Sequence, residues 1–236
     1  MKRLIIGCAL GIIAVLWLSS EMFPAIRHVI EQQGQVPPSR LAFLLLQAGQ
    51  LTVLTGASLL FGVRFYRRST LRSKWLGCGS RTHSLPVGHT VCALLVVVVL
   101  LLVDYAMLRI PQQIIDRLPE PEQLLVVGAL YGGFVEEVVT KLLLLAGVMV
   151  LMKRLMPARD PFWPAAGITA VVFAALHIGL ALVLAPTIAM IGRTLILNAV
   201  FMLASCWVVR AVNLEAGIAY HVYFHVANYA AMKMVT

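Results

Sequence analysis

Long apolar runs alternate with short polar stretches along the chain, and the runs are continuous rather than striped. Seven of them follow one another, at 4–18, 41–63, 87–108, 124–152, 165–184, 187–209 and 214–232. A helix needs roughly 20 mostly apolar residues to cross the hydrocarbon core of a bilayer. The pattern therefore predicts an all-α fold, a polytopic transmembrane helical bundle of about seven spans. The polar stretches fit that reading. Segment 21–40 contains Pro37-Pro38 and reads as a loop, 109–123 carries three prolines, and Pro186 separates the fifth run from the sixth. The first run follows Met1-Lys2-Arg3, and its exit, Trp17-Leu18-Ser19-Ser20-Glu21, lacks a small-x-small cleavage pattern. It is read as an uncleaved signal anchor. Two parts are expected: three N-terminal spans in 1–110, carrying a basic loop at 64–81, and a four-span core in 124–232.

Composition agrees with the pattern. Of 236 residues, 61% are hydrophobic and 12% charged, with a mean hydropathy of +0.91. Soluble domains carry about 25% charged residues, so an ordinary water-soluble enzyme, a disordered tail and a secreted disulfide scaffold are excluded. The cysteines, Cys8, Cys78, Cys92 and Cys206, show no metal-knuckle spacing and read as small apolar residues. Lys and Arg outnumber Asp and Glu by 19 to 10. The excess gathers at 64–81, 153–159 and 210, which seven spans place on one side with the N-terminus. The positive-inside rule makes that side cytoplasmic. The chain is thus read as an integral, multi-pass protein of a bacterial cell membrane, with the lipid bilayer and no nucleic acid as partner.

The informative residues are polar ones inside apolar runs. Glu136 and Glu137 lie about twelve residues into the fourth run, ~18 Å at 1.5 Å per residue. A carboxylate at that depth costs roughly 2.5–3.5 kcal/mol or more. Glu137 and Lys141 are i,i+4 neighbours and can neutralise one another. Glu136 points about 100° away and must meet a group on another helix. His177 lies deep in the fifth run, four residues after Phe173. On the seventh, His221, His225 and Asn228 share one helical face. Ser205 on the sixth run reads as a helix-packing residue, and Asp104 and Arg193 as snorkelling or capping residues. One carboxylate and three histidines from three helices suit two chemistries. Glu and His can activate a water while other polar groups stabilise an oxyanion. Alternatively, Glu136, His177, His221 and His225 can ligate a divalent metal, although no HExxH is present.

These motifs resemble those of the CAAX protease and bacteriocin-processing (CPBP, or Abi) family of intramembrane proteases, whose pattern is EExxxR, FxxxH and HxxxN on successive spans. Here the motifs read Glu136-Glu137-Val-Val-Thr-Lys141, Phe173-Ala-Ala-Leu-His177 and His221-Val-Tyr-Phe-His225. The resemblance covers roughly 124–230. It implies a glutamic endopeptidase without a cofactor, acting on a membrane-presented peptide or protein terminus. By motif, Glu136 is the base and His177 its water-activating partner. His221 and His225 stabilise the oxyanion, and Lys141 holds Glu137. Lys141 stands where the family has arginine and His225 where it has asparagine, a role Asn228 one turn on could fill. The lysine is also similar to the EExxK of PrsW-type proteases, from which the spacing and FxxxH depart. A non-catalytic membrane scaffold or bacteriocin-immunity protein is the alternative from another class.

Overall fold

The computed structural model describes residues 1–32, 34–78, 119–179 and 187–233, with single positions at 91, 95, 98, 99 and 182. No strand occurs among the described residues beyond the isolated bridge Ser73–Cys78. Six helices have both ends among the described residues, with further helical positions at 91, 95, 98, 99, 178, 179 and 182. They are α1 (Lys2–Gln32), α2 (Arg40–Arg68), α3 (121–155), α4 (Phe162–Leu176), α5 (Ile188–Ala211) and α6 (Leu214–Lys233). Helices α1, α2 and α5 are long and apolar enough to cross a membrane. The expected third span, 87–108, lies outside the described residues apart from four single positions, and so does Asp104.

Local chemistry sets the helix ends. The Ser39 side chain accepts the Ala42 N–H at the start of α2, and Thr187 accepts that of Met190 at the start of α5. Such caps satisfy N–H groups that have no partner within the helix. Pro121 opens α3, where a missing N–H costs nothing, and Asn213 caps Ala216 in α6. Two expectations are corrected here. Segment 21–40 is not all loop, because α1 continues through Pro24 to Gln32. Polar residues do not break a helix, and the i,i+4 pairs Arg27–Glu31 and His28–Gln32 support this one. The turn comes at Gly34, with φ of +72°. The fifth helix is interrupted after Leu176, and Ile178 and Gly179 are helical again beyond His177. His177 donates its backbone N–H to Ala174, three residues back, so the residue expected deep in a span sits at a helix end.

Helix α3 is the centre of the bundle. Glycines let its neighbours approach closely. A Cβ at Gly7 of α1 would strike the Phe134 ring, and one at Gly11 would lie 2.6 Å from the Leu130 carbonyl oxygen. On α2, a Cβ at Gly62 would lie 2.7 Å from the Leu142 backbone. Gly-x-x-x-Gly spacing puts both small residues of α1 on one face, which lets two backbones meet. Most buried residues form one main core, and Ala14, Leu18 and Val127 form a second, smaller cluster. Leu4 and Cys8 of α1 and Val63 and Tyr66 of α2 join Val138, Leu142, Phe173, Met202 and Tyr220 of α3–α6.

The two ends of the bundle differ. At one, the N-terminal amine donates to the Trp75 carbonyl (2.7 Å), and Leu214 donates its N–H to Arg72 (2.9 Å). Glu215 accepts from Ser73 Oγ and the Trp75 N–H, while Arg210 pairs with Asp160 at 2.7 Å. These contacts gather the chain start, the 69–78 loop and the α3–α4 and α5–α6 connections, which are the basic segments. At the far end, Lys233 pairs with Glu122 at 2.8 Å, joining the last turn of α6 to the first of α3.

Candidate functional site

The middle of α3 is wound as π-helix over Gly128–Glu136 and again over Val138–Leu145. Such winding is rare and concentrates at functional sites. It surrounds the two adjacent glutamates, whose surroundings are opposite in kind.

Glu137 is fully buried, and a single oxygen, Oε1, receives three donors. Lys141 Nζ stands at 3.3 Å, Ser205 Oγ donates at 2.9 Å, and His221 Nδ1 lies at 3.1 Å. Lys141, also without exposure, reaches Met202 Sδ at 2.7 Å. The carboxylate thus ties α3 to α5 and α6. Its Oε2 is buried with no hydrogen-bond partner among the described residues and faces Gly217, where a Cβ would come within 3.2 Å. The Glu137–Lys141 pairing expected from spacing is present. Ser205, read from sequence as a packing residue, is instead a ligand of this carboxylate.

Glu136 faces a cavity of about 380 Å³, within the range of small-ligand sites. Its Oε1 lies 3.8 Å from His177 Nε2, and its Oε2 lies 3.6 Å from His221 Nε2. Both separations exceed a direct hydrogen bond, and they suit one water shared between carboxylate and imidazole. The ring tautomers follow from the other nitrogens. His177 Nδ1 is 2.8 Å from the Phe173 carbonyl, which can only accept, so Nδ1 carries the hydrogen. His221 Nδ1 likewise faces the Glu137 carboxylate. In the neutral rings each Nε2 then presents a lone pair toward Glu136. The arrangement can take a proton from water and return it.

The remaining candidates line the same cavity. His225 stacks on His221 with ring centroids 5.2 Å apart, and Asn228 follows one turn on. Phe173 packs its ring on His177 at 4.4 Å, fixing the imidazole. Phe201 meets His221 edge-on at 4.6 Å. Both histidines of α6 lie flat against glycines of α3. A Cβ at Gly128 would strike the His225 ring, and one at Gly132 would lie 2.9 Å from His221 Nε2. That Gly-x-x-x-Gly spacing was the sequence signal for the closest approach of the two helices. Arg193, near the start of α5, and Asn198 also line the cavity. Asn198 and Ser205, seven residues apart, form a polar face on α5. Among the described residues, no group of three or more His, Cys, Asp or Glu is arranged to hold a metal.

No family model matches the chain, and no curated protein or solved structure matches it. The family resemblance therefore rests on the three motifs.

Proposed function

We propose that the protein is an intramembrane endopeptidase that hydrolyses a peptide bond of a membrane-presented peptide or protein terminus. The observation that carries this reading is Glu136, the one cavity-facing carboxylate among the described residues, set between the Nε2 atoms of His177 and His221. In the proposed step, water gives a proton to Glu136 as its oxygen attacks the scissile carbonyl carbon. The C–N bond of the tetrahedral intermediate then breaks, and the proton passes to the leaving amine, so no acyl-enzyme forms. His177 orients the water through the lone pair fixed by its bond to Phe173. His225 and Asn228, from the same wall, supply hydrogen-bond donors for the oxyanion. His221 has one nitrogen on Glu137 and the other toward Glu136, which favours a positioning role over an oxyanion role. The Glu137–Lys141–Ser205 cluster holds it there. The three long apolar helices and the basic segments at one end support a multi-pass membrane protein with that end in the cytoplasm.

The test compares protein termini in membranes of cells carrying wild type or Glu136→Gln at matched expression. New N- or C-termini present only with wild type are expected. Identical profiles, with the variant still complementing a deletion, would replace the peptidase by a binding scaffold. Activity lost to a membrane-permeant chelator and restored by a metal would replace it by a metallopeptidase.

A further inference from the structure

The cavity is strongly asymmetric along the bundle axis. On α3 its lining runs from Glu136 back to Leu124, near the far end at 121, and not forward toward 155. Helix α4 contributes Phe173 and His177, at its far end. Helix α5 contributes 193–201, from the half that begins at Ile188. Helix α6 contributes 221–228, on the way to Lys233. On the other side of the glutamates the bundle is closed. Lys141, Ser205, Cys206, Val208, Val209 and Tyr220 have no exposure at all. The Glu137 cluster therefore plugs the bundle on the side of the basic end, while Glu136 stands at the floor of a cavity reaching toward the opposite end.

Charge identifies the ends. Residues 2–3, 64–74, 153–159 and 210, at the plugged end, hold eleven Lys and Arg, against four (Arg27, Arg40, Arg193 and Lys233) in the other half among the described residues. Cytoplasmic loops retain Lys and Arg. We infer that the cavity opens on the extracytoplasmic side of the membrane, so that its occupant is a polypeptide segment presented from that side, and not a cytoplasmic lipidated tail. The lining fits such a segment. Leu124, Val127, Leu197, Phe201 and Phe224 give apolar walls, with Glu136 and His221 at the floor and Arg193 and Asn228 nearer the open end. The sidedness stands without the peptidase reading; the statement that the occupant is a substrate rests on it.

Labelling with a membrane-impermeant maleimide tests the inference on the full chain. Cys78 and Cys92 are replaced by Ser, while Cys8 and Cys206 are buried and stay. Single cysteines are then placed as Leu124→Cys in the cavity, Lys233→Cys at the far end and Arg68→Cys at the basic end. Leu124→Cys and Lys233→Cys are expected to label in intact cells, and Arg68→Cys only after permeabilisation. Labelling of Leu124→Cys and Lys233→Cys only after permeabilisation would overturn the inference. So would labelling of Lys233→Cys in intact cells with no labelling of Leu124→Cys under any condition. Adding Glu136→Gln is expected to leave the pattern unchanged. A loss of the peptidase reading would therefore be seen in the terminus profiles and not in the labelling.

Discussion

Glu136 and Glu137 are identical side chains on consecutive residues, yet their environments share almost nothing. Glu137 is sealed and receives a lysine, a serine and a histidine on one oxygen. Glu136 retains 18% exposure and stands 3.6–3.8 Å from two imidazoles without a direct hydrogen bond to either. A caged carboxylate is an anchor, because its charge is already committed. A carboxylate with room for a water is free to exchange a proton. Residue type and spacing thus identify a pair of acids, and the surroundings divide the labour between them.

The largest effects should separate the two residues. Replacing Glu136 by Gln keeps shape and removes the base. Peptidase activity should fall by about 10²–10⁴-fold, while the apparent Tm in detergent stays within a degree or two of wild type. Lys141→Met should do the reverse, first unfolding the protein by leaving a buried carboxylate unpaired, at about 3–5 kcal/mol. The double variant Glu137→Gln, Lys141→Met removes both charges and should be more stable than Lys141→Met alone, since an isosteric neutral pair avoids the desolvation of ions. A double variant less stable than the single would show that the cage does not act as a pair. Thermal denaturation in one detergent measures all three.

Smaller changes to the cage and to the packing against it sharpen the contrast. Ser205→Ala removes a donor to a buried charge and should cost about 1.5–3 kcal/mol. Gly132→Ala should cost about 1–3 kcal/mol by forcing a methyl against the His221 and His225 rings. It should also lower activity, because those rings face Glu136. The comparison is Gly167→Ala in α4, where nothing lies within 4 Å of the new Cβ. That variant should be neutral or stabilising by up to about 1 kcal/mol, the difference in helix propensity. Equal destabilisation by the two would remove the special standing of the α3–α6 contact.

Much of the architecture was legible because the apolar runs report directly on helices. Those at 41–63, 187–209 and 214–232 fall inside α2, α5 and α6 within a few residues. The chemistry contained within one helix was legible for the same reason. The Glu137–Lys141 pair and the shared face of His221, His225 and Asn228 follow from helical periodicity alone. What a helix meets depends on its rotation and tilt against its neighbours, which its own periodicity does not encode. Ser205 therefore reads as a packing residue in the sequence, while in the structure α5 turns it toward Glu137. The bridging of both glutamates by His221 belongs to this class. The break at His177 is marked only by Gly179 two residues on, and apolar residues continue beyond it, so the run reads as unbroken.

An ion pair of the same charge types but with the opposite exposure gives the mildest test of the comparison. Asp160 and Arg210 meet at 2.7 Å with side chains 53% and 40% exposed. The Phe162 N–H, and after it the Arg210 guanidinium, hold the Asp160 carboxyl below its ordinary range. A depressed carboxyl contributes stability that is complete above its unfolded value, about 3.9, and is lost as pH falls through the lower folded value. Because solvent screens the pair, that contribution should be no more than about 1 kcal/mol. Asp160→Asn should therefore lower the apparent Tm slightly at pH 7, and the gap to wild type should shrink as the pH falls below about 4. A gap that widens on acidification would mean the carboxyl is stabilised in its protonated form. The 3–5 kcal/mol expected at Lys141 against 1 kcal/mol or less here would then no longer be a difference of burial alone.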